Sequence, residues 1–235
     1  MSSNFRLGIM QPYFFPYLGY FELIARTDKW VIFDVVQYNS KSWMNRNRIL
    51  HPTKGWQYVG VPVQKASRGT LIKDILVKDL SASLERTLGQ LQHYKKHAPY
   101  FNEVTELVIK SFSSSKSDRL VDLDVAALVE TCAYLTIPFN WSLCSEMNLQ
   151  LDNIKHPGQW ALRISEELGA NMYLNPPGGK EIFAPEEWDN AGIELQFTEM
   201  PVYHYDCSPY NFIEYLSILD VLMWNAPESV RNYLM

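Results

Sequence analysis

The stretch FRLGIMQPYFFPYLGYFELIARTDKWVIF, residues 5–33, decides the fold. Residues 5–10 are mostly apolar and run into a segment marked by Pro12 and Pro16, which reads as a short strand followed by a turn. Residues 18–26 set Leu18, Phe21, Leu23, Ile24 and Ala25 along a broad apolar side, as in a helix. Trp30, Val31, Ile32 and Phe33 are β-branched or aromatic, as in a buried strand. Strand, helix and strand within about thirty residues is the spacing of a right-handed parallel crossover. Residues 5–10 and 30–33 are therefore expected to be adjacent parallel strands joined by the helix at 18–26.

Working outward, residues 56–63 and 71–77 read as further strands, the latter with Ile72 and Ile75 in the core. The middle is helical: 81–96, 100–111 and 120–135 repeat apolar residues at spacings of three and four. The serine-rich run 113–117 reads as a loop, and Asp118 as an N-cap. A strand at 139–143, a helix at 157–168 stopped by Gly169, strands at 172–174 and 194–197, and a last helix at 209–223 follow. The expected architecture is α/β with a mainly parallel sheet. It forms a single compact unit over 1–235: an α/β core at 1–78, a helical insertion at 79–137 and a C-terminal α/β completion at 138–235.

The chain has 235 residues, 47% hydrophobic, with a net charge of −5, too apolar and too weakly charged for disorder. No apolar run approaches the ~20 residues of a membrane span. Residues 1–10 do not resemble a secretory leader. Cys132, Cys144 and Cys207 are far apart and odd in number, so neither a disulfide framework nor a zinc knuckle is expected. A cytoplasmic protein with idle thiols fits these features. Residues 1–100 hold 14 Lys and Arg against 6 Asp and Glu, net +8; residues 101–235 hold 7 against 20, net −13. Either an anionic ligand sits against the first half, or the two halves attract each other. Nucleic acid is a poor first guess, since no Lys/Arg run exceeds two residues. His93 and His97 lack the Glu of an HExxH zinc site, so no metal is expected, and no cofactor is indicated.

Three segments carry candidate chemistry. The turn after the first strand, with Gln11, Tyr13, Tyr17, Gly19 and Tyr20, lies where α/β sheets gather ligands. In residues 41–49, Arg46 and Arg48 point the same way if the segment is extended, which suits a phosphate clamp; Trp43 can stack on a base or sugar, and Asn45 can hydrogen-bond. In Asn175-Pro176-Pro177-Gly178-Gly179-Lys180, the two glycines can form an anion-binding backbone nest with Lys180 at its mouth. Asp220, in an apolar run, either faces solvent or partners a buried Arg such as Arg46 or Arg48.

Residues 9–21, 43–49, 175–180 and 216–220 together resemble the WbqC-like protein family, in the family's order. The chain departs from the pattern after Asp34, in the run ending at Gln37, where a second acid would stand, and near His204, where a glutamine would. Gln37 is carried with the candidate binding groups. The resemblance implies a bacterial enzyme of surface-polysaccharide or O-antigen assembly that transfers a glycyl or similar acyl group to an amino sugar. Its partners would be a nucleotide-linked amino sugar and an activated acyl donor: an acyl-adenylate, a thioester or an aminoacyl-tRNA. The sugar amine must be neutral to attack, so a base is needed, and Asp34 and Asp220 are the candidates. A non-catalytic nucleotide-sugar module is the rival reading. The first turn also resembles the HxGH region of nucleotidyltransferases, with tyrosines, Tyr17 and Tyr20, in place of both histidines. If the candidate segments form one site, the 178–179 turn must face the arginines across a pocket on the carboxyl side of the first strand.

Overall fold

Five parallel strands form one sheet in the computed structural model of the chain, which describes residues 5–199 and 201–235. Residues 1–4, part of the stretch read for a leader, lie outside the described residues. β1 (Arg6–Met10) leads through α1 (Leu18–Ala25) to β2 (Lys29–Ile32). The two strands pair in parallel, Leu7 opposite Lys29 and Met10 opposite Ile32, as the reading of residues 5–33 expects. An antiparallel hairpin, β3 (Arg46–His51) and β4 (Gly55–Gly60), then leaves the sheet. The chain passes through α2 (Leu80–Leu91), α3 (Phe101–Ser113) and α4 (Leu120–Tyr134) and re-enters the sheet as β5 (Trp141–Leu143) beside β2. α5 (Gln159–Leu168) carries it to β6 (Met172–Asn175) on the far side of β1. α6 (Pro185–Ala191) leads to β7 (Glu194–Phe197), and α7 (Ile218–Trp224) and α8 (Pro227–Leu234) follow. The order β5-β2-β1-β6-β7 reverses direction between β1 and β6, a topological switch point.

Strand alternation divides the core between the two sheet faces. Trp30, Ile32, Leu143, Met172 and Leu174 pack with α1, α3, α4 and the hairpin. Leu7, Ile9, Val31 and Tyr173 pack with α5 and with Trp188 of α6. Gly8 is required by a close approach: a Cβ there would stand 2.5 Å from the Trp30 ring, which lies across β1.

Two readings are corrected, and two short helices are added. Residues 71–77 form a short 3-10 turn, Ile72–Asp74, between single bridges to Gln37, Val63 and Arg119. Ile72 and Ile75 are buried as expected, but their spacing of three fits a 3-10 turn and not strand alternation. The helix expected over 209–223 begins only at Ile218, where Ser217 accepts a hydrogen bond from the Leu219 amide. The aromatic residues before it pack from a loop. α6 and α8, unforeseen in the sequence, are short and start with Pro185 and Pro227 in the first turn, where a missing amide costs nothing. The three cysteines are buried and free, and burial pushes the Cys144 thiol up to about 12. Among the described residues no cluster of His, Cys, Asp and Glu could hold a metal ion, and no helix is long and apolar enough to cross a membrane.

Asp124 of α4 is fully buried, and among the described residues neither of its carboxyl oxygens has a hydrogen-bond partner. Burial alone pushes its pKa well above the ordinary value. The folded state therefore holds a proton that the unfolded chain releases above about pH 4, so stability falls as pH rises until the folded-state pKa is passed. Asp124→Asn removes that dependence. Its stability relative to wild type, measured by urea denaturation, should climb by up to about 1.4 kcal/mol per pH unit above pH 4. A difference that stays flat with pH would refute the neutral buried acid.

Candidate functional site

The turn after β1 is held by two distant parts of the chain. The Phe14 amide donates to the Trp43 carbonyl at 3.0 Å. Asn47 Nδ2 donates to the carbonyls of Phe14 at 3.2 Å and Phe15 at 3.0 Å, and Ser217 Oγ donates to the Phe15 carbonyl at 2.7 Å. The Ser217 amide reaches the Arg48 carbonyl and the Ile218 amide the Pro16 carbonyl, both at 2.8 Å. Phe15 has φ 38° and Tyr215 φ 55°, conformations strained for side chains of this size. Three of the four segments quoted from the sequence, 9–21, 43–49 and 216–220, thus interlock through hydrogen bonds.

Two cavities open beyond the carboxyl ends of β1 and β6. One, about 320 Å³, is walled by Tyr13, Tyr17, Trp43, Asn47, Arg48, Pro177 and Tyr215. The other, about 580 Å³, runs along the switch point between Gln11, Tyr13, Phe33, Lys155, His156, Trp160, Asn175 and Phe183. Tyr13 lines both. Burial pushes the Tyr13 hydroxyl up, and burial with Tyr13 nearby pushes Tyr17 up to about 12, so both stay neutral donors.

Arg46 and Arg48 share the outer face of the hairpin with Trp56 and Tyr58. The Arg46 guanidinium lies 4.4 Å from the Tyr58 ring centre; that of Arg48 lies 5.3 Å from Trp56 and 5.6 Å from Trp43. Among the described residues neither arginine has an acidic partner; each donates only to a backbone carbonyl, of Lys41 and Tyr215 respectively. Every ion pair among the described residues joins groups of the same half of the chain, so mutual attraction of the halves is not realised as salt bridges.

The remaining expected groups fall elsewhere. Tyr20 is buried and donates to the Gln11 carbonyl; Gly19 lines a separate small cavity beside Glu22. Asn45 is occupied internally by Tyr38 and the Val61 carbonyl, and exposed Gln37 bridges Leu71. Gly178 and Gly179 lie in the 3-10 turn Pro177–Ile182 without the positive φ that a nest needs, and Lys180 covers the Phe197 ring at 5.6 Å. Of that segment, Asn175 and Pro177 reach the cavities.

Both carboxylates expected as bases are internal ties. Asp34 accepts from the Ser145 amide at 2.9 Å and its hydroxyl at 2.5 Å, joining the end of β2 to the turn after β5. Asp220 meets neither arginine; it accepts from the Tyr94 hydroxyl, from Tyr205 at 2.5 Å and from the Leu50 amide at 3.3 Å. Both are completely buried. Lys155, His156, Trp160 and Phe183 were missed. Lys155 and His156 belong to the loop from β5 to α5, and loops at the carboxyl end of a parallel sheet are where such residues collect.

The WbqC-like protein family matches residues 11–232. The chain belongs to this family. It is also similar to an uncharacterized protein of Mycobacterium tuberculosis, 26% identical over 231 residues that cover 97% of each chain. No solved structure matches.

Asn47 is the test of the interlock. Asn47→Ala takes the Asn47 donor from the buried Phe14 carbonyl and one of two donors from the Phe15 carbonyl, and should cost about 1–3 kcal/mol in chemical denaturation. Asn47→Asp keeps the shape but turns acceptor against acceptor, and should cost more than the alanine variant. Equal or smaller loss for Asn47→Asp would show that the side chain does not hold the turn.

Proposed function

We propose that this WbqC-like protein is an enzyme that binds a nucleotide-linked amino sugar and transfers an activated acyl group, such as glycyl, to its amine. The observation that carries the reading is Arg48: an arginine with no acidic partner among the described residues, facing a cavity walled by Tyr13, Tyr17 and Trp43 at the carboxyl end of the sheet. A guanidinium in such a place suits a diphosphate, and the aromatic walls suit the flat faces of a base or sugar. The adjoining cleft offers amides, Gln11 and Asn175, within mainly apolar walls, as a site for sugar hydroxyls and an acyl group requires. Among the described residues neither cavity is lined by a carboxylate, which suits an anionic substrate. Membership of the family supports this reading, since the resemblance implies amide formation in surface-polysaccharide assembly.

The test is calorimetric titration with a panel of nucleoside diphosphate amino sugars, followed by mass spectrometry after addition of acyl thioesters or acyl-adenylates. Arg48→Ala should weaken binding by roughly 1.5–3 kcal/mol, the scale of a hydrogen bond to a charged group, with the fold intact. Arg46, stacked on Tyr58 beside it, should show a smaller loss. A folded Arg48→Ala variant that binds as wild type would remove the phosphate clamp; binding without acyl transfer would reduce the protein to a nucleotide-sugar module.

A further inference from the structure

The 580 Å³ cleft contains a histidine held as a proton acceptor. His156 Nε2 lies 3.0 Å from Glu187 Oε2. Glu187 Oε1 accepts from Gln159 Nε2 at 2.7 Å, and Gln159 Oε1 accepts from the Lys155 amide at 2.8 Å. Three elements therefore fix this chain of contacts: the loop before α5, α5 itself and α6. The Gln159 and His156 contacts hold the Glu187 carboxyl below its usual range, so it is ionised and can only accept. Nε2 must then carry the hydrogen, and the neutral ring keeps its lone pair on Nδ1. Nδ1 makes no hydrogen bond among the described residues.

The other titratable groups on the cleft serve poorly. Burial pushes the Tyr13 and Tyr173 hydroxyls up, and Tyr173 is committed to Asn175 Oδ1 at 2.9 Å. Lys155 presents an ammonium, with donors and no lone pair.

We propose that His156 is the general base of the acyl transfer and that Glu187 is its positioning residue, an assignment that rests on the function proposed above. The sugar nitrogen attacks the acyl carbonyl, forming the C–N bond. The bond from that carbon to the thiolate or phosphate breaks, and the leaving group departs with the electron pair. The proton lost by nitrogen passes to His156 Nδ1, the imidazolium is held by Glu187, and the proton is then released to the leaving group or to water.

The experiment measures kcat and KM on whichever nucleotide amino sugar and acyl donor the wild type uses, with sugar binding by calorimetry alongside. His156→Gln should lower kcat at least 100-fold with KM and binding within threefold, the scale of lost proton transfer. Imidazole added to His156→Ala should restore part of the rate, which a purely structural role would not allow. Glu187→Gln should lower kcat tenfold or more with KM unchanged. If His156→Gln fails to fold, the imidazole rescue and Glu187→Gln carry the same comparison. Wild-type kcat in a folded His156→Gln variant that still binds overturns the base and leaves the proposed function standing. A wild type that binds but forms no amide overturns the base and leaves a binding module. A wild type that binds no member of the panel overturns both.

Discussion

The carbonyl of Phe15 accepts from residues 32 and 202 positions away in the chain, Asn47 Nδ2 and Ser217 Oγ. This contact decides where the turn after β1 goes. Phe15 sits at positive φ, which a phenylalanine adopts only when its surroundings over-determine it, and two buried donors on one carbonyl supply that constraint. Freed from them, the turn would relax and take Tyr13 with it. Tyr13 is the shared wall of both cavities. The hairpin depends on the same lock from the other side, since the Ser217 amide caps the Arg48 carbonyl and Asp220 accepts from the Leu50 amide. Asp220 is thus a tie between α7 and β3. Its buried oxygens are matched by two tyrosine hydroxyls and an amide, the arrangement that makes a carboxylate tolerable inside a protein.

Topology explains why the cavities lie where they do. The chain leaves β1 for β2 and β5 on one side and crosses to β6 and β7 on the other. The loops that follow β1 and β6 therefore diverge, and the gap between them is the 580 Å³ cleft. The hairpin, which is not part of the sheet, brings Arg48 to the neighbouring 320 Å³ cavity, which Trp43, just before the hairpin, also lines. The excess of positive charge in residues 1–100 has a local expression here: its two hairpin arginines are stacked on rings and have no acidic partner among the described residues.

Much of this was legible because short-range patterns carry it. The crossover from β1 to β2 is written in residues 5–33, and the i, i+2 spacing of Arg46 and Arg48 was enough to put them on one face of a strand. What failed depended on partners distant in sequence. Asn45 and Asn47 look alike in the sequence; only the fold shows that one is spent on Tyr38 and Val61 and the other on Phe14 and Phe15. Paired glycines permit a nest but do not require one, and Pro177 starts a 3-10 turn through them instead. A lone aspartate in an apolar run is ambiguous between base and tie until its donors are seen.

His156 shows the same limit from the opposite direction. Nothing adjacent to it in the sequence marks it, because its partner stands 31 residues further on, in a helix too short to be read from periodicity. The pairing becomes visible only when α5 and α6 pack on one face of the sheet and bring Gln159, Glu187 and His156 into one line. Both helices cover the same sheet face as Tyr173, whose hydroxyl fixes Asn175 at the cleft's edge. The packing that closes this half of the core therefore also orients the polar groups of the cleft. Loss of Trp188, the large side chain stacked on Tyr173 at 5.1 Å, would loosen core and site together.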